Sequence, residues 1–516
     1  MLRNDEIREK NVYKSPFMVS VNGFKYFMLT LAITLIGYFW MGHLSVKDTS
    51  YDTVRICTLI AVAIMSIEYV NFAKYSGSYV SNYALFLIAF IVFNFGLFLV
   101  FSFGGEYNFF YLKQYEVGTV LKTIQYEFGC AGALFLAGAW INRITPFRFN
   151  NINILSKRTI FKVAKMFMYI TGIVAFALLA MKMMAFATGY YEGARRFDAS
   201  VPSILGLVEY FFVPFSVLTL IYSENRQIDK ITEMLVIIWS LATAMCGDRT
   251  SGIAGILIIM IVNFRYKGEN KNSIKKYLIS IATIILTAFL IVFIKAFREG
   301  SAFSASGLFS IFSDVLGELG SSFFPLTLIM RVCPQRHSFL YGGSYLYSIL
   351  AGFIPASLDP TGTISMWNSK AIEPLNWIST EYDYTFGTGY SLCAEAYANF
   401  GCFGFLAIFI IGIMVIKLLA AADENSFSKY TATILMFEFF TLPRRNFYYV
   451  INHPFYCIVI VSIVILLFTR KFECGGGVNS PCKKYIFEQF NIVSFYAITA
   501  GVSVKNKYIT TQEGVV

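Results

Sequence analysis

Long apolar runs separated by short polar segments dominate the chain from residue 23 to residue 469. A helix needs about 20 mainly apolar residues to cross a bilayer, and many of these runs approach that length. The pattern therefore predicts an all-α polytopic membrane protein with about twelve transmembrane helices. The predicted spans are 23–44, 54–71, 83–104, 124–141, 163–188, 203–222, 231–247, 251–264, 277–297, 391–417, 430–442 and 454–469.

The composition supports a membrane protein. Hydrophobic residues make up 57% of the chain, charged residues make up 14%, and the mean hydropathy is +0.61. A soluble domain carries about 25% charged residues. Residues 1–16 are polar and no small-residue cleavage site follows the first apolar run, so we expect a retained anchor. The net charge of +11 fits anionic lipid at the inner face and does not indicate a nucleic-acid partner.

Lysines and arginines near the span ends predict the orientation, because basic residues favour the cytoplasmic side. They place both termini in the cytoplasm. The predicted divisions are a cytoplasmic N-terminus at 1–22, nine spans within 23–297, one long extracytoplasmic loop at 298–390, three spans within 391–469 and a cytoplasmic tail at 470–516.

Nine of the seventeen arginines fall on the outer side, where positive charge is disfavoured. Arginine stays charged and offers a planar fork of donors that matches phosphate oxygens, so an anionic substrate at the outer face would explain this placement. Chance in a small sample is the alternative. The candidate substrate-binding arginines are Arg195, Arg196, Arg249, Arg298, Arg331, Arg336, Arg444 and Arg445.

The predicted outer loop contains apolar residues at helical spacing between 308 and 319, typical of an amphipathic helix on the membrane surface. Farther along, Trp367 and Trp377 lie far from any span end. Flat aromatic rings bind the apolar faces of sugars, so both are candidate substrate-binding residues. An interfacial aromatic belt is the alternative.

No metal site or cofactor is predicted. Glu381 and Asp383 have the spacing of some metal-dependent glycosyl transfer sites, but two acids one residue apart are common in loops. The nine cysteines show no metal-binding or redox spacing.

Two ionisable residues near the last spans are the candidate catalytic residues. Glu395 lies at the entrance of an apolar span, where such a residue is a functional candidate, although pairing with an outer arginine is the alternative. Asn399, four residues later, shares its helical face and is a candidate substrate ligand. His453 opens the last span and could accept a proton from a hydroxyl, although local capping is also common.

The segment 389–404 resembles the signature of the O-antigen or oligosaccharide repeat-unit polymerases, the Wzy family. The residues that carry this resemblance are Gly389, Tyr390, Ser391, Glu395, Ala396, Tyr397, Phe400, Gly401 and Gly404. The loop element Gly342 to Pro355 and the Gly247-Asp-Arg249 turn are also similar to family elements. Arg444 or Arg445 falls where the family tends to carry an arginine.

The resemblance implies a fold related to the GT-C glycosyltransferases and a metal-independent reaction outside the cytoplasm. A growing glycan leaves undecaprenyl pyrophosphate and joins a hydroxyl on the next lipid-linked repeat unit. The outer arginines would then stabilise the leaving pyrophosphate, while Glu395 or His453 would orient or deprotonate the acceptor. The chain would be a glycosyltransferase of the bacterial cytoplasmic membrane in O-antigen, lipopolysaccharide or capsule synthesis. Its partners would be lipid-linked oligosaccharide, the bilayer, a chain-length regulator and a flippase.

Two other functions remain open at this point. A ligase that moves the finished glycan to lipid A or a wall component would use the same chemistry, and an acceptor assay separates it from a polymerase. A flippase for the lipid-linked unit would favour matched halves. The predicted division into nine spans before the long loop and three after it does not fit matched halves.

Overall fold

The computed structural model describes residues 21–47, 49–76, 78–79, 81–104, 115–140, 156–263, 308–354, 359, 361–382, 390–419 and 426–473. Throughout these ranges the regular elements are helical, which confirms the predicted all-α class. Many of the helices pack side by side through long faces. Predictions for the tail beyond 473 and for the ninth span, 277–297, lie outside the described residues.

The α-helices are numbered in chain order. They are α1 (Val21–Lys47), α2 (Tyr51–Ser76), α3 (Asn82–Ser102), α4 (Val117–Trp140), α5 (Lys157–Ser200), α6 (Ser203–Tyr210), α7 (Phe212–Tyr222), α8 (Arg226–Met245), α9 (Arg249–Val262), α10 (Leu308–Leu319), α11 (Phe323–Val332), α12 (Gly343–Gly352), α13 (Thr363–Ala371), α14 (Glu373–Tyr382), α15 (Leu392–Phe400), α16 (Gly404–Leu419), α17 (Ser426–Phe440), α18 (Tyr448–Pro454) and α19 (Val461–Glu473).

Eight stretches of the described chain are long and apolar enough to cross a membrane. They are Gly23–Lys47, Tyr51–Ser76, Asn82–Ser102, Lys157–Tyr190, Ser203–Tyr222, Ser313–Val332, Leu392–Leu419 and Tyr448–Thr469. Described helices overlie the other predicted spans apart from 277–297, but twelve crossings are not confirmed. Because Ser313–Val332 is among the eight, the single long loop at 298–390 is not confirmed either.

Helix α4 lies at the centre of the N-terminal bundle and is buried along almost its whole length. It packs against α1, α2, α3, α11 and α16. Its glycines allow this crowding: a Cβ at Gly132 would lie 2.1 Å from Cγ2 of Thr34 on α1. Small residues of this kind let helix backbones approach closely where the surrounding medium is apolar.

Helix α10 forms where the apolar spacing predicted a helix, but it packs along α3. Gly96 makes this possible, since a Cβ there would lie 2.5 Å from the backbone oxygen of Leu316. The prediction that this helix lies on the membrane surface is therefore not confirmed.

Helix α5 reverses direction sharply at Tyr190, whose φ of 51° and ψ of −145° are not helical. The part after this break folds back on the part before it, and Gly193 fits against the backbone oxygen of Ala185 because it has no side chain. An ion pair of 2.7 Å between Lys182 and Asp198 joins the two parts. The segment 189–202, expected from the sequence to be a loop, is therefore largely helical.

The predicted tenth span is broken at Gly401, where φ is +58°. The last carbonyls of α15 are satisfied from outside the helix. The backbone N–H of Leu340 donates to Ala398 O and that of Tyr341 donates to Asn399 O, both at 3.0 Å. This break fixes the segment before α12 against the end of α15.

The predicted sidedness can be tested by chemical labelling. Ser365 is exposed on α13 in the predicted outer region, and Ser156 is exposed before α5 in a predicted inner segment. In a chain whose exposed Cys402 and tail residues Cys474 and Cys482 are replaced by Ser, Ser365→Cys should react with an impermeant maleimide in intact cells or spheroplasts. Ser156→Cys should react only after lysis. The reverse pattern would invert the predicted topology.

Candidate active site

A buried polar cluster forms where α6, α17 and α18 meet. The imidazole Nδ1 of His453 contacts the carboxylate of Glu438, and these residues are only 5% and 6% exposed. The Tyr210 hydroxyl lies 3.1 Å from Glu438 Oε1 and 2.9 Å from His453 Nδ1. Cys457 Sγ lies 3.0 Å from the same hydroxyl. We refer to Tyr210, Glu438, His453 and Cys457 as the histidine cluster.

The neighbours of His453 determine which nitrogen carries its proton. Arg445 Nη1 lies 3.5 Å from His453 Nε2, and a guanidinium can only donate hydrogen bonds. Nε2 must therefore present its lone pair, and Nδ1 carries the proton that is donated to Glu438. A carboxylate behind a histidine fixes the tautomer and supports positive charge on the ring. These contacts hold the ring of His453 between Glu438 and Arg445.

Local sequence explains why Arg445 faces His453. The short 3-10 helix Leu442–Arg444 follows α17, and Arg445 then adopts an extended backbone. The Arg445 guanidinium lies 4.5 Å from the ring centroid of Tyr449, a cation–π contact that holds it in place. The same ring lies 4.8 Å from that of His453, four residues later on α18.

A second polar network surrounds Glu395, which has no exposed surface. Its Oε1 accepts from the Ser344 hydroxyl at 2.9 Å, and its Oε2 accepts from the backbone N–H of Phe447 at 2.6 Å. Asn399 donates to Ser344 Oγ at 2.7 Å and to Glu395 O at 2.8 Å. Its own Oδ1 accepts from the N–H of Gly342 at 3.0 Å.

This glutamate network ties three parts of the chain together. Glu395 and Asn399 share a face of α15, as their spacing predicts, and they hold the start of α12 through Ser344. Phe447 follows Arg445 by two residues, so Glu395 also fixes the segment that carries Arg445. This geometry is that of a positioning residue. A direct catalytic role for Glu395 stays a prediction.

Arg331 and Arg336 lie in a different environment, near the end of α11. The Arg331 guanidinium lies 5.8 Å from the ring centroids of both Tyr115 and Tyr382. Arg336 pairs with Glu381, and this hydrogen bond holds the pKa of Glu381 below its usual value. Glu381 is thus an ionised partner of Arg336 that also contacts His337 Nε2 at 3.2 Å. Asp383, the other acid of the pair, lies outside the described residues.

The two candidate tryptophans differ in burial. Trp377 is only 8% exposed, and the His337 ring is stacked on it at 4.6 Å with an interplanar angle of 5°. One face of its ring is thus covered by protein. Trp367 is half-buried on α13. A sugar-binding role stays a prediction for both residues.

The remaining candidate arginines are spread over several elements. Arg195 and Arg196 are exposed on the last part of α5, and Arg196 pairs with Glu192. Arg444 lies over the Phe93 ring of α3 at 5.9 Å. Arg298 lies outside the described residues.

Arg249 is the first residue of α9, as the predicted turn requires. Asp248 caps this helix by accepting from the N–H of Ser251 at 3.1 Å. The hairpin of α8 and α9 places the helix start directly after a tight turn at Gly247, whose φ is +111°.

Residues 24–473 match the family model described as O-antigen polysaccharide polymerase Wzy. The chain belongs to the O-antigen polysaccharide polymerase Wzy family. No curated protein and no solved structure matches it significantly. The resemblance seen in the sequence is thereby confirmed, while the GT-C relationship stays a prediction.

Membership of the Wzy family gives the described geometry its context. It makes the chain an integral membrane protein of O-antigen-type polysaccharide synthesis, with a polymerising glycosyltransferase activity. Wzy proteins act on lipid-linked oligosaccharide repeat units.

Sequence reasoning missed three members of the histidine cluster in this Wzy chain, Tyr210, Glu438 and Cys457. Glu438 lies inside the predicted span 430–442, and an ionisable residue within a span is a functional candidate by default. The sequence therefore already marked Glu438 as a functional candidate. Tyr210 had no such signal, because a tyrosine carries no charge that would single it out within the predicted span 203–222.

The positioning role of Glu395 makes a specific prediction. Glu395→Gln should keep polymerisation within about tenfold of wild type, because the Ser344 hydroxyl can reverse its hydrogen bond and accept from the amide. Glu395→Ala leaves the Phe447 N–H unsatisfied at a cost of about 1–3 kcal/mol, and should shorten the polymer. Polymer length distributions and thermal unfolding of both variants provide the measurement. A dead but stable Glu395→Gln protein would instead show that the charge is essential.

Proposed function

We propose that this chain transfers a growing glycan from undecaprenyl pyrophosphate to a hydroxyl of the next lipid-linked repeat unit, at the outer face of the cytoplasmic membrane. The observation that carries the proposal is the buried Glu438–His453 pair with Arg445 beside the second imidazole nitrogen, Nε2. A base and a fixed cation next to each other are what glycosyl transfer from a pyrophosphate requires.

In the proposed reaction the acceptor hydroxyl approaches His453 Nε2, the nitrogen left without a proton. The hydroxyl oxygen attacks the anomeric carbon of the donor glycan as its proton passes to Nε2. The bond between the anomeric carbon and the pyrophosphate oxygen breaks, and its electron pair leaves with the pyrophosphate. Glu438 stabilises the imidazolium that forms. Such proton transfer contributes about 10²–10⁴-fold to a rate.

Arg445 would stabilise the negative charge that develops on the pyrophosphate. Donors held in place before the reaction stabilise such charge without reorganisation, and this is often the largest contribution to catalysis. The Tyr449 ring and the backbone tied to Glu395 hold Arg445 in this way. We propose that the other outer arginines guide the anionic donor toward this position, and that Trp367 contributes to substrate binding.

The proposal extends to location and partners. We place both termini in the cytoplasm and the reaction on the opposite side. The lipid-linked units would then be delivered by a flippase, and a chain-length regulator would act on the product.

An assay with the purified full-length chain in lipid vesicles tests the function. Lipid-linked repeat units from cells lacking this chain should be converted to a ladder of products that grow by one unit, with release of undecaprenyl pyrophosphate. Transfer of preformed polymer to lipid A without ladder formation would indicate a ligase. Movement of the lipid-linked unit across the vesicle bilayer, with no new glycosidic bond, would indicate a flippase.

A further inference from the structure

A cavity of about 190 Å³ lies between the folded-back end of α5 and the start of α6. Its lining includes Lys182 on one arm of α5, Phe197 and Asp198 on the other, and Gly206 and Glu209 on α6. The sharp reversal at Tyr190 creates it, because the two arms of α5 are held together at the ion pair between Lys182 and Asp198.

The charges around this cavity are unusual for a site beside a pyrophosphate reaction. Lys182 is only 14% exposed and is bound to Asp198 at 2.7 Å, so its charge is already matched. Glu209 adds a second carboxylate, and Asp248 of the α8–α9 turn lies within electrostatic range of it. An anion would meet an excess of negative charge here, and a metal ion would meet the ammonium group of Lys182.

We propose that this cavity binds one sugar ring of the lipid-linked repeat unit; the proposal rests on the function proposed above. Carboxylates accept hydrogen bonds from sugar hydroxyls, the Lys182 ammonium donates to them, and the Phe197 ring packs against the apolar face of a pyranose. The size agrees, since a cavity of about 150 Å³ admits benzene, and a single pyranose is a six-membered ring with polar substituents.

The position of the cavity connects it to the histidine cluster. Glu209 is followed directly by Tyr210, whose hydroxyl contacts both Glu438 and His453. Helix α6 is only eight residues long and carries both sites. A sugar bound at Glu209 would therefore lie next to the reacting centre and help to select which repeat unit is used.

Gly206 offers a direct test. Gly206 lines the cavity, and a Cβ at this position would meet no atom within 4 Å, so a side chain can start from this part of the wall without an initial clash. Gly206→Leu should raise the KM for lipid-linked repeat units about tenfold and change kcat less than about twofold. This pattern is expected because a sugar in the cavity would contact the protein equally in the ground state and in the transition state. Glu209→Gln keeps the shape of the side chain but loses the carboxylate, and it should also raise the KM.

The matched control is Gly118→Leu. Gly118 also lies in a helix with no atom within 4 Å of its Cβ, but on α4, outside the residues that line the cavity. Gly118→Leu should leave both KM and kcat unchanged. Thermal unfolding of each protein shows whether the variants are folded.

Retention of radiolabelled lipid-linked repeat unit on the immobilised protein gives a second readout that needs no turnover. Reduced retention by Gly206→Leu and Glu209→Gln, but not by Gly118→Leu, supports the sugar site even if the wild type fails to polymerise. If the wild type polymerises but both cavity variants keep a wild-type KM and wild-type retention, the sugar site is overturned and the proposed polymerase function is not. If Gly206→Leu fails to fold, Glu209→Gln decides the outcome.

Discussion

His453→Gln is expected to lower the rate of polymerisation by about 100-fold or more, because general base catalysis typically contributes about 10²–10⁴-fold. A glutamine amide can still donate a hydrogen bond to Glu438, so the buried carboxylate keeps a partner. It cannot take a proton from an acceptor hydroxyl. The measurement is kcat with purified protein and lipid-linked repeat units, alongside the amount of protein in the membrane.

Tyr210→Phe is the control for this result. It removes the hydroxyl that contacts Glu438 and His453 but leaves the base and its carboxylate in place. We expect its rate to stay within about tenfold of wild type, since a neutral hydrogen bond is worth about 0.5–1.5 kcal/mol. A stable His453→Gln protein with a near-normal kcat would exclude His453 as the base.

Arg445→Met is expected to reduce the rate by one to two orders of magnitude. Losing a charge-assisted hydrogen bond costs about 1.5–3 kcal/mol, which is roughly that factor if the contact forms in the transition state. Arg445→Lys keeps the charge but loses the planar fork and the stacking on Tyr449, so it should fall between wild type and Arg445→Met. Initial rates at saturating lipid-linked repeat unit provide the comparison.

Arg444→Met is the matched control one position earlier. Arg444 lies over the Phe93 ring of α3, whereas Arg445 faces His453. The sequence alone left open which of the two corresponds to the family's arginine, and the structure favours Arg445. A larger loss of kcat in Arg444→Met than in Arg445→Met would reverse that assignment.

Hydrophobic patterning located the helices that overlie the predicted spans, because each run had to be apolar over most of its length, but it missed α11 to α14 within the predicted loop. It could not show how the helices break. The reversal at Tyr190 and the stop at Gly401 depend on single backbone conformations and on close contacts with distant residues, such as the bonds from Leu340 and Tyr341. The same limitation applies to α10, whose amphipathic face fits a membrane surface or another helix equally well.

The site was only partly predictable. His453, Asn399 and Arg445 attracted attention because polar groups are rare in this chain. The structure supplied what the sequence could not: both carboxylate oxygens of Glu395 accept hydrogen bonds from protein donors, and His453 is held by Glu438. Hydrogen-bond partners that are dozens or hundreds of residues apart leave no local pattern.

The histidine cluster also sets the order in which the protein can become active during its synthesis. Tyr210 is separated from Glu438 by 228 residues and from His453 by 243. On the ribosome, α6 therefore emerges long before its partners, and the cluster forms only when α17 and α18 have joined the bundle. A nascent chain that holds most of the membrane helices still lacks Glu438 and His453. The proposed site is therefore complete only once the chain has been made through α18.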